Sequence, residues 1–340
     1  MYKRRRIAVL AVVLALLVAI AFLNRSSIRQ MLDVSFGNEY SQPSSETVDF
    51  IINSGDDGAT IANNLVEAGI TKSVSSTYKV ILAKNPTFFP GVYKLHLKMK
   101  TSDVLAALQS GSSAVDNSVL IKEGTRASTI FKLLSEKYGT PLADFEAVKP
   151  SDLNLPSEAL NLDGYLFPAK YQFDPKQSAI SILKTMHNRM LEEIAKAGIK
   201  AADVHRVLTL AGLIQREGRF TKDFYKISRV FLNRIELGMP LQSDATVSYG
   251  AGSVSYTTTA AQRADDNPWN TYKHLGLPAG PISAPGAAAI DAALHPADGS
   301  WIFFCTVNLE TGETEFSTTL AEHERSVAKW RAWMVANPGW

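Results

Sequence analysis

The stretch VHRVLTLAGLIQREG, residues 204–218, decides the fold of the larger part of this chain. Its apolar side chains recur at the spacing of an amphipathic helix. The members of this stripe are Val204, Val207, Leu208, Ala211 and Ile214. At about 100° per residue, Gln215 falls within the stripe and Glu217 on its edge, and Gly218 can then end the helix.

Glu217 is the first catalytic candidate because its position leaves the carboxyl group partly dry. Leu210, Leu213 and Ile214 flank it. Desolvation raises the pKa of a carboxyl group and keeps it protonated near neutral pH, as a general acid in glycoside cleavage requires. The alternative is a glutamate at a helix end that is solvated beyond the last turn.

Side chains that suit sugar binding are dense after this helix. Amides, hydroxyls and aromatic faces bind pyranose rings through hydrogen bonds and stacking. The candidates are Asn233, Gln242, Ser243, Asp244, Tyr249, Asn270 and Tyr272. Asp244 has an alternative role as a structural cap of the segment that follows it. The loop 250–285, rich in Gly, Pro, Thr and Ala, is predicted to line a cleft.

Composition limits the class of protein. With 340 residues, 46% of them hydrophobic and 20% charged, the chain can bury ample core in two or three domains. Its net charge of +2 does not favour nucleic acid as a partner. The lone Cys305 is predicted to pack in the core, and His295 and His323 to be structural. No histidine or cysteine spacing is typical of a metal site, so no metal is expected.

A membrane anchor is predicted at residues 1–24. Four basic residues at positions 3–6 precede an uninterrupted apolar run at 7–23, which is about the minimum length of a membrane-spanning helix. The positive-inside rule places the N-terminus in the cytoplasm and the rest of the chain outside the membrane. The competing interpretation is a cleavable signal peptide, because residues 19–21 (Ala-Ile-Ala) resemble a small-x-small cleavage site.

The remaining chain is predicted to be α+β, with a tether, a small module and a larger domain. The polar, turn-rich residues 25–46 form the tether. The small module covers 47–112, with strands at 48–52 and 91–97 and helices at 57–68, 74–83 and 101–108. A hinge is expected at 111–114.

The larger mixed α+β domain covers residues 116–340. Its helices are predicted at 127–138, 177–197, 202–216, 223–237, 286–293 and 320–334. Its strands are predicted at 118–122, 170–173 and 301–307.

Several motifs of the larger domain resemble those of the YceG-like endolytic murein transglycosylases, the MltG family. They include Gln215-Arg216-Glu217, Gly238-Met-Pro-Leu-Gln-Ser-Asp244, Asn270-Thr271-Tyr272 and Pro281-Ile-Ser-Ala-Pro-Gly286. Their order and spacing match along most of the chain. The family usually has two glutamates in its Glu-x-Glu triplet, and here Gln215 stands at the first position. Gln215 is therefore interpreted as a supporting residue whose amide can donate and accept hydrogen bonds.

The resemblance implies a lytic transglycosylase that acts within glycan strands of peptidoglycan. Glu217 is then expected to protonate the bond between N-acetylmuramic acid and N-acetylglucosamine. As the resulting base, it helps the C6 hydroxyl of the muramic acid to close a 1,6-anhydro ring. This reaction needs no metal or organic cofactor. The small module is implied to be a LysM-like, glycan-binding domain, and the alternative is a packing platform.

The implied partners are glycan strands, the cytoplasmic membrane and membrane-bound peptidoglycan polymerases. A short tether confines the enzyme to the zone near the bilayer, where new strands are made, so its cleavage is expected to terminate their elongation. Two alternatives stay open. One is a muramidase that hydrolyses the same bond with Asp244 assisting water. The other is a catalytically silent glycan-binding scaffold.

Overall fold

The computed structural model describes residues 39–53, 55–253, 255 and 257–338. The predicted membrane anchor at 1–24 and the first part of the tether lie outside these residues. In the described chain, no helix has both the length and the apolar character that crossing a bilayer requires. The chain forms two compact units that divide between Asn117 and Ser118.

The smaller unit consists of an antiparallel sheet and three helices. Its elements are β1 Thr47–Ile52, α1 Gly58–Glu67, α2 Val74–Lys84, β2 Gly91–His96, α3 Thr101–Ser110 and β3 Ala114–Val115. Strand β2 lies between β1 and β3. Ile61, Leu65, Leu95 and Leu105 belong to its buried core. The predicted strands and helices of this unit are confirmed, with their ends displaced by two residues at most.

The segment predicted as a hinge at 111–114 is instead a turn that leads into the sheet. Gly111 ends α3 in a left-handed conformation with φ of 67°. The chain then runs back along β2, where the Lys94 amide donates to the Ser113 carbonyl oxygen at 2.7 Å. The short strand β3 follows from this pairing.

The larger unit is mainly helical and contains two small antiparallel hairpin sheets. Its strands are β4 Ser118–Leu120, β5 Lys170–Gln172, β6 Phe303–Asn308 and β7 Glu313–Ser317. Its helices are α4 Ala127–Tyr138, α5 Leu142–Glu146, α6 Ala179–Lys196, α7 Val204–Glu217, α8 Thr221–Glu236, α9 Asp244–Gly250, α10 Ala260–Ala264, α11 Ala287–Leu294 and α12 Leu320–Ala336. Strand β4 pairs with β5, and β6 pairs with β7. The predicted α+β class is confirmed.

The predicted helices and strands of the larger unit are also confirmed, again with ends within two residues. Three α-helices and one strand were not predicted: α5, α9, α10 and β7. Three of them are helices of at most seven residues, too short to show a helical period. Strand β7, Glu-Thr-Glu-Phe-Ser, is largely polar, so its sequence lacks a clear apolar alternation. Its Phe316 lies opposite Phe304 of β6, with 6.2 Å between the ring centres.

Helix α7 lies at the centre of the core of the larger unit. Every residue from Val207 to Ile214 is buried, so the helix is enclosed on all sides rather than along a single stripe. Helix α11 packs against it and is rich in alanine, whose small side chain allows two helices to approach closely. The segment 281–284 also crosses α7, where the Ser283 hydroxyl donates to the Gly212 carbonyl oxygen at 3.1 Å.

Gly218 ends α7, as predicted, but for a different physical reason. A glycine after a helix commonly adopts the left-handed conformation. Gly218 has an extended backbone with φ of −86° and ψ of 127°, which other residues also adopt. A Cβ atom at this position would lie 2.5 Å from the ring of Phe224. Glycine is therefore required because α8 packs directly against the end of α7.

Gly164 provides a test of the packing around α7. Its φ is 81°, and a Cβ atom would lie 2.3 Å from Cβ of Pro281. We expect Gly164→Ala to lower the free energy of unfolding of the larger unit by at least about 3 kcal/mol, because backbone strain and overpacking add.

The matched control is Gly139→Ala. Gly139 also has a positive φ, 74°, but no atom lies within 4 Å of its Cβ position. We expect it to cost only about 1–2 kcal/mol. All five tryptophans lie at or beyond position 269, so tryptophan fluorescence during urea unfolding reports on the larger unit alone. Equal losses in the two variants would contradict the close contact with Pro281.

Candidate active site

A cavity of about 330 Å³ lies at the C-terminal end of α7. This volume falls within the range of small-ligand pockets. The residues that line it are Glu217, Phe231, Arg234, Leu241, Gln242, Ser243, Asp244, Tyr272, Phe304 and His323. The cavity therefore brings together five of the nine residues predicted for the site: Glu217, Gln242, Ser243, Asp244 and Tyr272.

Glu217 is half-buried, and its carboxyl group is held by two hydrogen-bond donors. Its Oε1 accepts a short hydrogen bond from the Ser243 hydroxyl, and the backbone amide of Ala245 also donates to the carboxyl group. Burial raises the pKa of Glu217, and the negative charge of Asp244 raises it further. The Ser243 hydroxyl and the Arg216 guanidinium oppose this shift. The net pKa is raised, so this carboxyl group holds a proton at a higher pH than an exposed glutamate.

Asp244 lies beside Glu217 and is held by two hydroxyl groups. Its Oδ1 accepts hydrogen bonds from Thr258 Oγ1 at 2.6 Å and from the Tyr272 hydroxyl at 3.0 Å. Burial and the Asp244 charge raise the pKa of Tyr272 to about 12, so its phenol stays protonated and donates. Asp244 is the first residue of α9, where a negative charge is favourable, but it makes no side-chain cap.

Thr271 fixes the backbone that carries Gln242 and Ser243. The Gln242 amide donates to the Thr271 carbonyl oxygen, and the Ser243 amide donates to Thr271 Oγ1, both at 3.1 Å. Gln242 has φ of 51°, a left-handed conformation that is uncommon for a residue other than glycine. Its exposed side chain is thereby placed at the edge of the cavity.

Arg234 lines the cavity but was not among the predicted site residues. Its side chain is 9% exposed. The guanidinium donates to the carbonyl oxygens of Ile302 at 2.6 Å and Leu241 at 2.9 Å, and it lies 5.1 Å from the centre of the Phe303 ring. Arg234 thus joins α8 to the segments on both sides of the cavity, and it keeps its positive charge there.

A sequence signal for Arg234 does exist. Phe224, Ile227 and Phe231 form the apolar stripe of α8, and Arg234 continues it at helical spacing. A charged residue on such a stripe indicates a buried, bonded side chain. His323, predicted to be structural, also lines the cavity, and its ring stacks on Phe303 with 4.9 Å between centres.

Asn233 and Asn270 do not line the cavity. Their side-chain amides form hydrogen bonds with backbone groups instead. Asn233 donates to the carbonyl oxygens of Gly299 at 3.1 Å and Trp301 at 2.9 Å. Asn270 is fully buried, donates to the Asp265 carbonyl oxygen at 2.6 Å and accepts from the Tyr272 amide at 3.0 Å. Their contacts hold loops in place, and Asn270 in this way positions Tyr272.

Gln215 and Tyr249 also lie outside the cavity lining. Gln215 Oε1 accepts from the Gly286 amide at 3.0 Å. The Tyr249 hydroxyl donates to Asp163 Oδ2 at 2.7 Å and accepts from Asn161 at 2.8 Å. Direct substrate contact by Gln215, Asn233, Tyr249 and Asn270 stays a prediction. The loop 250–285 was predicted to line a cleft. Its residue Tyr272 lines the cavity.

Possible metal ligands are scattered in the described part of the chain. No three His, Cys, Asp or Glu side chains there lie close enough together to hold a metal ion. The cavity presents a carboxyl group, Glu217, beside a second one, Asp244, with hydroxyl and amide groups around them.

Comparison with known proteins identifies the family. The YceG-like family matches residues 50–329, so the chain belongs to it and the resemblance of the motifs is confirmed. An endolytic murein transglycosylase of Bacillus subtilis is 32% identical over 310 residues, which cover 84% of this chain and 86% of that protein. One from Streptococcus pneumoniae serotype 2 is 27% identical, covering 78% of this chain and 54% of the relative.

A solved structure agrees with this assignment. The crystal structure of a yceG-like protein from Listeria monocytogenes has 28% sequence identity and a TM-score of 0.54. The similarity covers 83% of this chain and 99% of that one.

Two substitutions next to Glu217 are expected to shift its pKa in opposite directions. Ser243→Ala removes a hydrogen bond to the carboxylate, so the pKa of Glu217 rises further. Asp244→Asn removes a neighbouring negative charge, so the pKa falls. Carbon-13 NMR titration of glutamate-labelled protein measures both, with Glu217→Gln to assign the signal. Shifts of the same sign would rule out this account of the site.

Proposed function

We propose that this chain is an endolytic murein transglycosylase. It cleaves the bond between N-acetylmuramic acid and N-acetylglucosamine inside glycan strands and leaves 1,6-anhydro ends. Membership of the YceG-like family and the names of the relatives support this activity. The observation that carries the proposal is the half-buried carboxyl group of Glu217, whose pKa is raised at the wall of a cavity of sugar-binding character.

Glu217 acts first as a general acid. It holds a proton because its surroundings exclude water. It donates this proton to the glycosidic oxygen, which becomes the free hydroxyl oxygen of N-acetylglucosamine. The bond from this oxygen to C1 of the muramic acid breaks, and positive charge develops at C1. The negative charge of Asp244, next to Glu217 in the cavity, stabilises that charge.

Glu217 then acts as a general base. Its carboxylate removes the proton of the C6 hydroxyl of the muramic acid, and O6 bonds to C1 to close the 1,6-anhydro ring. The Ser243 hydroxyl and the Ala245 amide stabilise the carboxylate between the two steps. One carboxyl group therefore serves both proton transfers, and its proton is restored at the end.

Replacing Glu217 by glutamine is expected to reduce cleavage at least about 100-fold, because the amide can neither donate nor remove the proton. Mass spectrometry of fragments released from high-molecular-weight peptidoglycan measures this loss. The unsubstituted enzyme should yield internal fragments that end in 1,6-anhydro-N-acetylmuramic acid.

The matched control is Glu236→Gln. Glu236 is an exposed residue at the end of α8 and should have no effect. Reducing ends in the products would identify a hydrolase instead. Absence of cleavage by the unsubstituted protein, on uncrosslinked nascent strands as well, would identify a scaffold.

We further propose that the smaller unit is the LysM-like, glycan-binding module. Three aromatic residues lie on or just before β2: Phe89 is 61% exposed, Phe88 is half-buried and Tyr93 is buried. The Tyr93 hydroxyl donates to the Phe89 carbonyl oxygen at 2.7 Å. This bond fixes the backbone that presents the Phe89 ring, and an exposed aromatic face can stack on a sugar.

The proposed location is the cell membrane, with the N-terminus in the cytoplasm and the catalytic unit outside. The basic residues at 3–6 and the apolar run at 7–23 support it. Such a tether places the catalytic unit near membrane-bound peptidoglycan polymerases, whose emerging strands it would cut and so terminate.

A C-terminal fusion to alkaline phosphatase, which is active only outside the cytoplasm, tests this location. We expect the full-length fusion to be active and to sediment with membranes, and a fusion lacking residues 7–23 to be inactive. An active but soluble full-length fusion would indicate a cleaved signal peptide. An inactive full-length fusion would contradict the orientation.

A further inference from the structure

Arg126 has an unusual environment beside the active site. It immediately precedes α4, is half-buried, and lies over the Tyr249 ring with its guanidinium carbon 5.1 Å from the ring centre. Among the described residues, none accepts a hydrogen bond from its side chain or forms an ion pair with it. Five N–H donors of a partly desolvated cation are thus available to a ligand.

A second arginine lies close to Arg126. Burial and the positive charge of Arg216 both lower the pKa of Arg126. Arg216 directly precedes Glu217 and also acts on the Glu217 carboxyl group. A bound anion would be attracted by both charges.

The backbone around Arg126 is fixed against the end of α7. The Gly124 amide donates to the Ala284 carbonyl oxygen at 2.8 Å, and the Ala284 amide donates back to Thr125 at 2.9 Å. A Cβ atom on Gly124 would lie 3.6 Å from Cγ of Gln215 and 3.9 Å from Cδ of Arg216. Arg126 is therefore presented from a rigid turn packed against the residues that precede Glu217.

The nearby carboxylates leave Arg126 without a direct partner. Asp163 attracts Arg126 electrostatically, but its own oxygens accept from the Ala127 amide at 2.7 Å and the Tyr249 hydroxyl at 2.7 Å. Both oxygens of Asp163 are therefore already engaged by donors other than Arg126. Glu123 is exposed, and its carboxyl group lies against Gly286.

We propose that Arg126, with Arg216 beside it, binds a carboxylate of the peptide stem that the substrate carries on its muramic acid. The proposal rests on the proposed function, since it concerns the same substrate. A guanidinium fork matches the geometry of a carboxylate and can bind both of its oxygens. Peptide stems end in carboxylates, and the proton-donating Glu217 acts at the muramic acid that bears the stem. The subsite makes the enzyme select strands that carry stems over bare glycan.

Calorimetric titration of the full-length chain in detergent tests this subsite. All proteins carry Glu217→Gln so that no cleavage occurs. The two ligands are glycan tetrasaccharides with peptide stems and the same tetrasaccharides after an amidase has removed the stems. The measured quantity is the ratio of the two dissociation constants.

With Arg126 present, the ligand with stems should bind at least about ten-fold more tightly than the bare one, as expected for hydrogen bonds between charged groups. Arg126→Gln should bring this ratio close to one. Arg126→Lys should restore only part of it, because lysine keeps the charge but not the fork. The control Arg206→Gln removes an exposed arginine that pairs with Asp203, and it should leave the ratio unchanged.

The outcomes separate the two proposals. Tight binding of both ligands with a ratio that Arg126→Gln does not alter would overturn the subsite and leave the proposed function standing. Failure of both ligands to bind the protein that retains Arg126 would overturn the proposed function, and the subsite with it. A ratio that falls equally with Arg206→Gln would show a general effect of charge and also overturn the subsite.

Discussion

The placement of one carboxyl group at the end of a helix with a fully buried centre determines the chemistry of this protein. Helix α7 is buried from Val207 to Ile214, and Glu217, three residues further on, lines the cavity. Loss of water favours its neutral form, while the Ser243 hydroxyl and the Ala245 amide favour its ionised form. A group that must give up a proton and then take one back needs both influences. With burial alone, the pKa of Glu217 would be raised so far that the group would not readily release its proton.

The surrounding structure holds these opposing groups in place. Three buried side chains that form hydrogen bonds with backbone atoms fix the segments around the cavity. Arg234 joins α8 to the strand and loop that border the cavity, Asn270 fixes Tyr272, and Thr271 fixes Ser243. Each is a buried polar group whose removal would leave backbone groups unsatisfied. They act through position rather than by contact with the reacting bond, and this explains why polar side chains are so dense after α7.

The long helices and five of the seven strands could be predicted from the sequence because their apolar patterns are local. The same holds for Glu217, which lies at the end of such a period. The role of Asn270 could not be predicted from the sequence. An asparagine that holds a loop in place and one that binds a sugar cannot be distinguished by their neighbours in the sequence. Arg234 lies on the apolar stripe of α8, so its burial could have been predicted from the sequence. Arg126 could not, since its neighbours Tyr249 and Arg216 meet it only in the folded chain.

A crystal structure of the Glu217→Gln variant with a bound glycan strand would show whether Glu217 is the acid and base. We expect the strand to occupy the cavity and the side chain at position 217 to lie about 3 Å from the oxygen joining N-acetylmuramic acid to N-acetylglucosamine. We also expect the C6 hydroxyl of the muramic acid to point toward the same side chain. A strand bound with this glycosidic oxygen far from position 217, or nearer to Asp244, would contradict the assignment of Glu217 as the acid and base.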